Sequence, residues 1–215
     1  MSWGLKVWDG SGHLLVDGAS QMMRLHHKAT VTLSSSGTTI SFSGISETPL
    51  VMVSPKSSVD HPWWRPGKSD TLWDKVTVYG TSEADVFIFK RTSGSASGWG
   101  LQCRSSAGET IIDGASKMLR LHARFTGQLS SGSPVTHSFS DLGYVPPVLM
   151  TKWTTYWEEF EESEGFLVTY FYSVAYKVTS SSVTLDWMEV GSKAGGQSGT
   201  GDDSGAYDVY IFAYQ

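Results

Sequence analysis

The chain carries one pattern twice. Asp17-Gly18-Ala19-Ser20-Gln21-Met22-Met23-Arg24-Leu25-His26 recurs 96 residues downstream as Asp113-Gly114-Ala115-Ser116-Lys117-Met118-Leu119-Arg120-Leu121-His122. Trp3-Gly4-Leu5 recurs at the same interval as Trp99-Gly100-Leu101. The halves also close on related runs, Asp85-Val86-Phe87-Ile88-Phe89 and Asp208-Val209-Tyr210-Ile211-Phe212. A tandem duplication of one small domain accounts for all three matches. Units of about 100 residues are of domain size, whereas solenoid repeats of roughly 20–50 residues cannot fold alone. The reading is therefore two domains, 1–92 and 99–215, joined by a short Gly/Ser linker at 93–98. A feature present in both copies belongs to the fold. A feature present in one copy is a candidate for function.

The repeated block also gives the fold class. From Met23 to Leu33 the odd positions are apolar except His27, and the even positions Arg24, His26, Lys28, Thr30 and Thr32 are polar. The second copy sets Leu119, Leu121, Ala123, Phe125 and Leu129 against Arg120, His122, Arg124, Thr126 and Gln128. Alternation with period two predicts a strand with one face on a core and the other in solvent. Helical spacing fits Met118, Leu121, His122 and Phe125 as well, but the β-branched run Thr30-Val31-Thr32 favours the strand. Further strands are predicted at Leu5–Trp8, Thr39–Phe42, Leu50–Val53, Val76–Tyr79 and Val86–Phe89. The second half offers Thr136–Phe139, Val148–Trp153, Phe166–Tyr172, Tyr176–Thr179, Val183–Met188 and Val209–Tyr214. Ser/Gly/Pro clusters separate them, and the Gly/Ser-rich stretch 191–205 reads as a hairpin tip. Short strands at this spacing predict an all-β protein made of two β-sandwich-like domains.

Composition narrows function by exclusion. A formal net charge of −5 argues against nucleic acid as the main partner. A single cysteine, Cys103, leaves no intrachain disulfide and no four-thiolate metal site. No apolar run approaches the roughly 18 residues of a membrane span, and no signal peptide is visible, which predicts folding in a cytosol. Nucleophile-elbow, phosphate-loop and dinucleotide fingerprints are absent, as are zinc-ligand patterns around His26 and His122. A non-enzymatic protein without metal or cofactor is expected.

The candidate sites are aromatic and charged. Each half places an aromatic-rich stretch after an equivalent strand. The first is His61-Pro62-Trp63-Trp64-Arg65-Pro66, followed by Trp73. The second is Trp153-Thr154-Thr155-Tyr156-Trp157 with the acidic run Glu158, Glu159, Phe160, Glu161, Glu162. Variable loops on a repeated frame are where recognition is expected. Flat rings stack on sugars or anchor protein interfaces. The alternative is that these rings pack back on their own sheets. Arg24, His26 and Lys28, with Arg120, His122 and Arg124, form a basic stripe in each half. Such a stripe can meet an acidic neighbour across a subunit contact or remain a solvated face.

The opening Trp3-Gly4-Leu5-Lys6-Val7-Trp8-Asp9, then Gly12 and Leu14-Leu15-Val16-Asp17, resembles the start of small tail proteins of tailed bacteriophages. The second copy departs from the pattern with Arg104 in place of Trp8. The resemblance implies a virion component of a tail tip, baseplate or distal fibre, assembled in the host cytoplasm. It would dock to other tail proteins as a symmetric homo-oligomer or ring-bound subunit, and could also touch a host surface glycan or receptor. A carbohydrate-binding module built on Trp63, Trp64, Trp153 and Trp157 is the second expectation.

Overall fold

The computed structural model describes residues 6–8, 14–17, 23–91, 102–104, 110–113, 117–130, 133–152, 155–163, 166–194 and 205–214. Every regular element among them is a β-strand. The first half carries β1 (Lys6–Trp8), β2 (Leu14–Asp17), β3 (Met23–Thr32), β4 (Thr38–Ile45), β5 (Leu50–Pro55), β6 (Trp63–Ser69), β7 (Leu72–Tyr79) and β8 (Glu83–Arg91). The second carries β9 (Gln102–Arg104), β10 (Thr110–Asp113), β11 (Leu119–Gln128), β12 (Val135–Ser138), β13 (Val148–Lys152), β14 (Thr155–Ser163), β15 (Phe166–Val178), β16 (Ser182–Ala194) and β17 (Ala206–Tyr214).

The two copies fold alike. Hairpin β1-β2 is matched by β9-β10, and sheet β3-β8-β5 by β11-β17-β13. Sheet β4-β7-β6 is matched by β12-β16-β15, to which the second half adds β14 as an edge strand. The protein is all-β, in two similar β-sandwich-like halves. One core is built from Leu33, Ile40, Val51, Val53, Val76, Val78, Ala84, Val86 and Ile88. The other is built from Leu129, Val148, Met150, Val174, Val178, Val183, Leu185, Val209 and Ile211. In each, alternate residues of two facing sheets interdigitate.

A third apolar cluster joins the halves. Phe87, Phe89 and Met52 are fully buried on the face of β3-β8-β5 that points away from its own core. Met23, Leu25, Leu50, Leu119, Leu149, Phe212 and Tyr214 pack against them. The sheets β3-β8-β5 and β11-β17-β13 therefore lie back to back. This explains why Val86–Phe89 is an unbroken apolar run, because a strand covered on both faces has no solvent side.

Several expectations are corrected. The alternation along Met23–Leu33 is broken by a β-bulge: Leu25 pairs with Phe89 but His27 pairs with Ile88, which leaves His26 as the extra residue. An inserted residue exchanges the two faces of a strand. Met23 and Leu25 thus join the cluster between the halves, while Ala29 and Val31 join the first core. The second copy breaks at His122, where Leu121 pairs with Phe212 and Ala123 with Ile211. The stripes Arg24/His26/Lys28 and Arg120/His122/Arg124 are accordingly each split between faces. The aromatic stretches expected as loops contribute edge strands, β6 and β14. Pro66 sits in β6 without cost to the ladder because an edge strand has one unpaired side. Strands β16 and β17 belong to different sheets, so the stretch expected as a hairpin tip crosses between sheets. Residues 195–204 within it lie outside the described residues. The linker at 93–98 does so too.

Candidate docking site at the seam between the halves

The connection from β5 to β6 is held in place by one buried carboxylate. Asp60 Oδ1 accepts the His61 backbone N–H at 2.8 Å. Its Oδ2 accepts the Thr81 N–H at 2.8 Å, the Ser82 N–H at 3.0 Å and the Ser82 hydroxyl at 3.0 Å. Four donors satisfy a charge that would otherwise be costly to bury. They also pin the turn between β7 and β8 to this connection.

The same segment clasps the other half. Asp60 N–H donates to Tyr176 O at 3.1 Å, and Tyr176 N–H donates to Asp60 O at 2.9 Å. This antiparallel bridge continues the edge of β15 beyond the point where its pairing with β14 ends at Ser173. His61 Nδ1 lies 2.9 Å from the Val174 carbonyl, to which it must donate. Tyr176 is buried, and its hydroxyl donates to Val53 O at 2.7 Å. Burial pushes the Tyr176 phenol up, with the nearby Asp60 charge adding to it, so it stays a donor. Ser54 Oγ donates across the seam to Pro146 O at 2.7 Å.

Above these bonds is a cavity of about 250 Å³. Val51 and Val53 from one half, Val148 and Met150 from the other, and Tyr176 form its walls, with Trp63 and Trp64 beside them. Trp63 is 52 % and Trp64 38 % exposed. The Trp63 ring stacks on Tyr79 with centroids 3.7 Å apart and planes 3° from parallel. One ring face is thereby occupied and the indole held flat. Such an amphipathic ring beside an apolar recess suits a partner's side chain or a sugar face.

The remaining predicted residues are dispersed. Trp73 pairs with Lys68 near the far end of the β6–β7 hairpin, and the Lys68 ammonium lies 4.4 Å from its ring centre. Trp153 is outside the described residues. Tyr156, Trp157, Glu158, Glu159 and Glu161 pair along β14 with Tyr172, Phe171, Tyr170, Thr169 and Leu167, and Glu162 falls at a bulge. His26 Nε2 donates to Ser43 O at 2.8 Å and its ring meets Phe42 edge-on at 6.0 Å. His122 repeats both contacts with Ser140 O at 3.3 Å and Phe139 at 5.8 Å, which marks this pair as part of the fold. Lys28 pairs with Asp85 at 2.8 Å, and Arg124 with Asp208 at 2.9 Å. Arg120 is exposed. Among the described residues, no three His, Cys, Asp or Glu side chains converge as metal ligands would.

No family model matches the chain, and no curated protein or solved structure matches it. Sequence reasoning gave Tyr176 only as the start of a strand and missed Asp60. Neither has a counterpart in the repeat pattern, and the two lie 116 residues apart in the chain.

Proposed function

We propose that this protein is a non-enzymatic structural component of a bacteriophage tail that docks to a neighbouring tail protein through Trp63 and Trp64. The observation that carries the reading is the pair of exposed indoles beside an apolar recess that both halves wall. Placement in a tail rests on the resemblance of the Trp3–Asp17 opening to small tail proteins. Trp and Tyr dominate interface energetics when they enter desolvated pockets. A clasped pair of sandwiches holds them in a fixed geometry, which lowers the ordering cost of binding. The subunit works in the virion after assembly in the host cytoplasm, in symmetric copies.

The test is incorporation into assembling tails in vitro. A Trp63→Ala/Trp64→Ala variant keeps its β-sheet circular dichroism, since both residues sit on an edge strand. It is expected to lose incorporation at least tenfold. Equal incorporation of the variant refutes the docking role.

One observation favours a second reading. Trp63 is held flat by Tyr79 with half its surface free, as a sugar-stacking platform requires. Titration with host-surface glycans would then quench tryptophan fluorescence, and Trp63→Ala would abolish the change. A flat titration removes this reading and leaves the protein-docking one standing.

A further inference from the structure

The duplication supplies an internal control, and one cluster fails to repeat. In β3, Arg24 lies directly across from Lys90 of β8. Like charges in directly opposed positions destabilise a strand pair. The neighbouring bulge brings His26 and His27 against the same ring, with Phe42 6.0 Å and 6.3 Å away. Four basic side chains thus gather at one end of the first sandwich, all half-buried. In the second half the matching positions are Arg120 opposite Ala213, then His122 and Ala123. Lys90 and His27 are therefore additions peculiar to the first copy.

No carboxylate among the described residues forms an ion pair with the cluster. Among the described residues, Arg24 and Lys90 form no ion pair, and the Arg24 Nε–H is buried without a hydrogen-bond acceptor. Glu47 is the carboxylate that acts on Lys90, and its Oε1 is already taken by the Arg91 backbone N–H at 2.6 Å. From the other half, Lys117 approaches through its backbone, accepting the Leu25 N–H at 2.8 Å, while its ammonium lies over Tyr214. Burial holds the Lys90 ammonium below the usual lysine range, and the Arg24 charge adds to the shift. Burial likewise lowers His26, with further lowering from Lys90, Arg24 and His27. A partly desolvated group of like charges is stabilised by an anion that supplies the opposite charge.

We propose that Arg24, His26, His27 and Lys90 form a binding site for a doubly charged tetrahedral oxyanion, free sulfate or a phosphate group that is free or carried as a monoester. Arg24 and Lys90 supply two fixed positive charges that match a dianion. The terminal N–H groups of the Arg24 fork offer donors, the Nε–H being buried behind them. His27 offers a further ring donor beside Phe42, while the His26 Nε2–H is already given to the Ser43 carbonyl. This site is separate from Trp63 and Trp64 and does not depend on the docking role.

The test is a titration of the intact protein with sodium sulfate against sodium chloride at matched ionic strength, read by the ring nitrogen resonances of the histidines. Sulfate is expected to shift His26 and His27 saturably and to leave His122 in place. Lys90→Ala with His27→Ala, which copies Ala213 and Ala123 of the second half and so keeps the strand pair, should weaken sulfate binding at least tenfold. Parallel titrations with inorganic phosphate and a sugar phosphate separate the sources. Tighter binding of the ester assigns a glycan or metabolite group, and equal binding assigns the free ion. Unchanged sulfate affinity in the double variant, an equal response to chloride, or an equal shift of His122 overturns the proposal.

Discussion

Ile40 and His137 occupy matching places in the two cores, opposite Val76 and Val183. The neighbouring threonine pairs confirm the alignment: Thr39 meets Thr77 and Thr136 meets Thr184, each with hydroxyls 3.0 Å apart. Where one half is purely aliphatic, the other stacks His137 on Phe125 at 4.5 Å and sets its Nε2 2.8 Å from the Tyr207 hydroxyl. Space for Tyr207 comes from Gly127, which stands where the first half has Val31. A Cβ at 127 would lie 2.8 Å from the Tyr207 ring carbon Cζ. Burial lowers the His137 pKa. A lowered folded-state pKa means that its contribution is complete above the unfolded value near 6.5 and is lost as the pH falls toward the folded one. The unfolding temperature should therefore drop between pH 7.5 and 5. His137→Phe keeps the ring stack and leaves the Tyr207 hydroxyl unpaired, which costs about 1–2 kcal/mol at pH 7.5. The same variant should flatten the acid slope. An unchanged slope in thermal melts across that range would show that His137 does not carry it.

At the level of elements, β8 and β17 share a five-residue run that differs at one position, Asp85–Phe89 against Asp208–Phe212, and have different surroundings. Phe87 and Tyr210 hold the same position in the repeated runs. Phe87 is sealed between the halves, with the Tyr214 ring 5.7 Å away and the Lys28 ammonium 5.1 Å from its centre. Tyr210 is partly exposed beneath Arg124, and its hydroxyl reaches Asp208 at 3.1 Å. The ion pairs follow the same contrast. Asp85 is sealed with Lys28, Lys56 and Thr30, while Asp208 and Arg124 remain toward solvent. Burial would raise Asp85, but hydrogen bonds from Lys28 and Thr30 outweigh it and hold the carboxyl below its usual range. Truncation should follow the burial and not the sequence. Phe87→Ala is expected to cost about 3–5 kcal/mol, and Tyr210→Ala about 1 kcal/mol. Denaturant melts that placed the two losses within 1 kcal/mol of each other would contradict the back-to-back packing. The offset of the halves also leaves Leu121 56 % exposed, although its counterpart Leu25 is packed in the seam.

For the molecule as a whole, the seam determines whether two domains behave as one. It combines an apolar cluster, the Asp60–Tyr176 bridge and the Ser54–Pro146 bond. An interface of that kind couples the unfolding of its sides, whereas tandem domains on a linker move independently by default. A single calorimetric transition is expected. Tyr176→Phe removes one buried donor and leaves the Val53 carbonyl without its 2.7 Å partner, at a cost of roughly 1–3 kcal/mol. The loss should appear first as faster amide exchange at Asp60 and Tyr176, whose N–H groups close the bridge. Exchange at those two amides as slow as in the parent would mean that the clasp does not depend on the phenol.

The repeat alone determined a good deal. Its period fixed two similar halves, and its alternation and turn spacing fixed the β class, because both are properties of local sequence that survive in any context. The aromatic content marked Trp63 and Trp64 as candidates before any contact was known. Other features depended on tertiary structure. A bulge at His26 has no local signature, so the face on which Lys28 lies follows from pairing with β8 and not from counting. Strands β6 and β14 were hidden because charged, proline- and tryptophan-rich edges lack the alternation of a half-buried strand. Asp60 and Tyr176 become partners, and Arg24 and Lys90 become opposed charges, only when distant stretches of chain are brought side by side. The free energy of those contacts belongs to the assembled sheets, and no segment carries it alone.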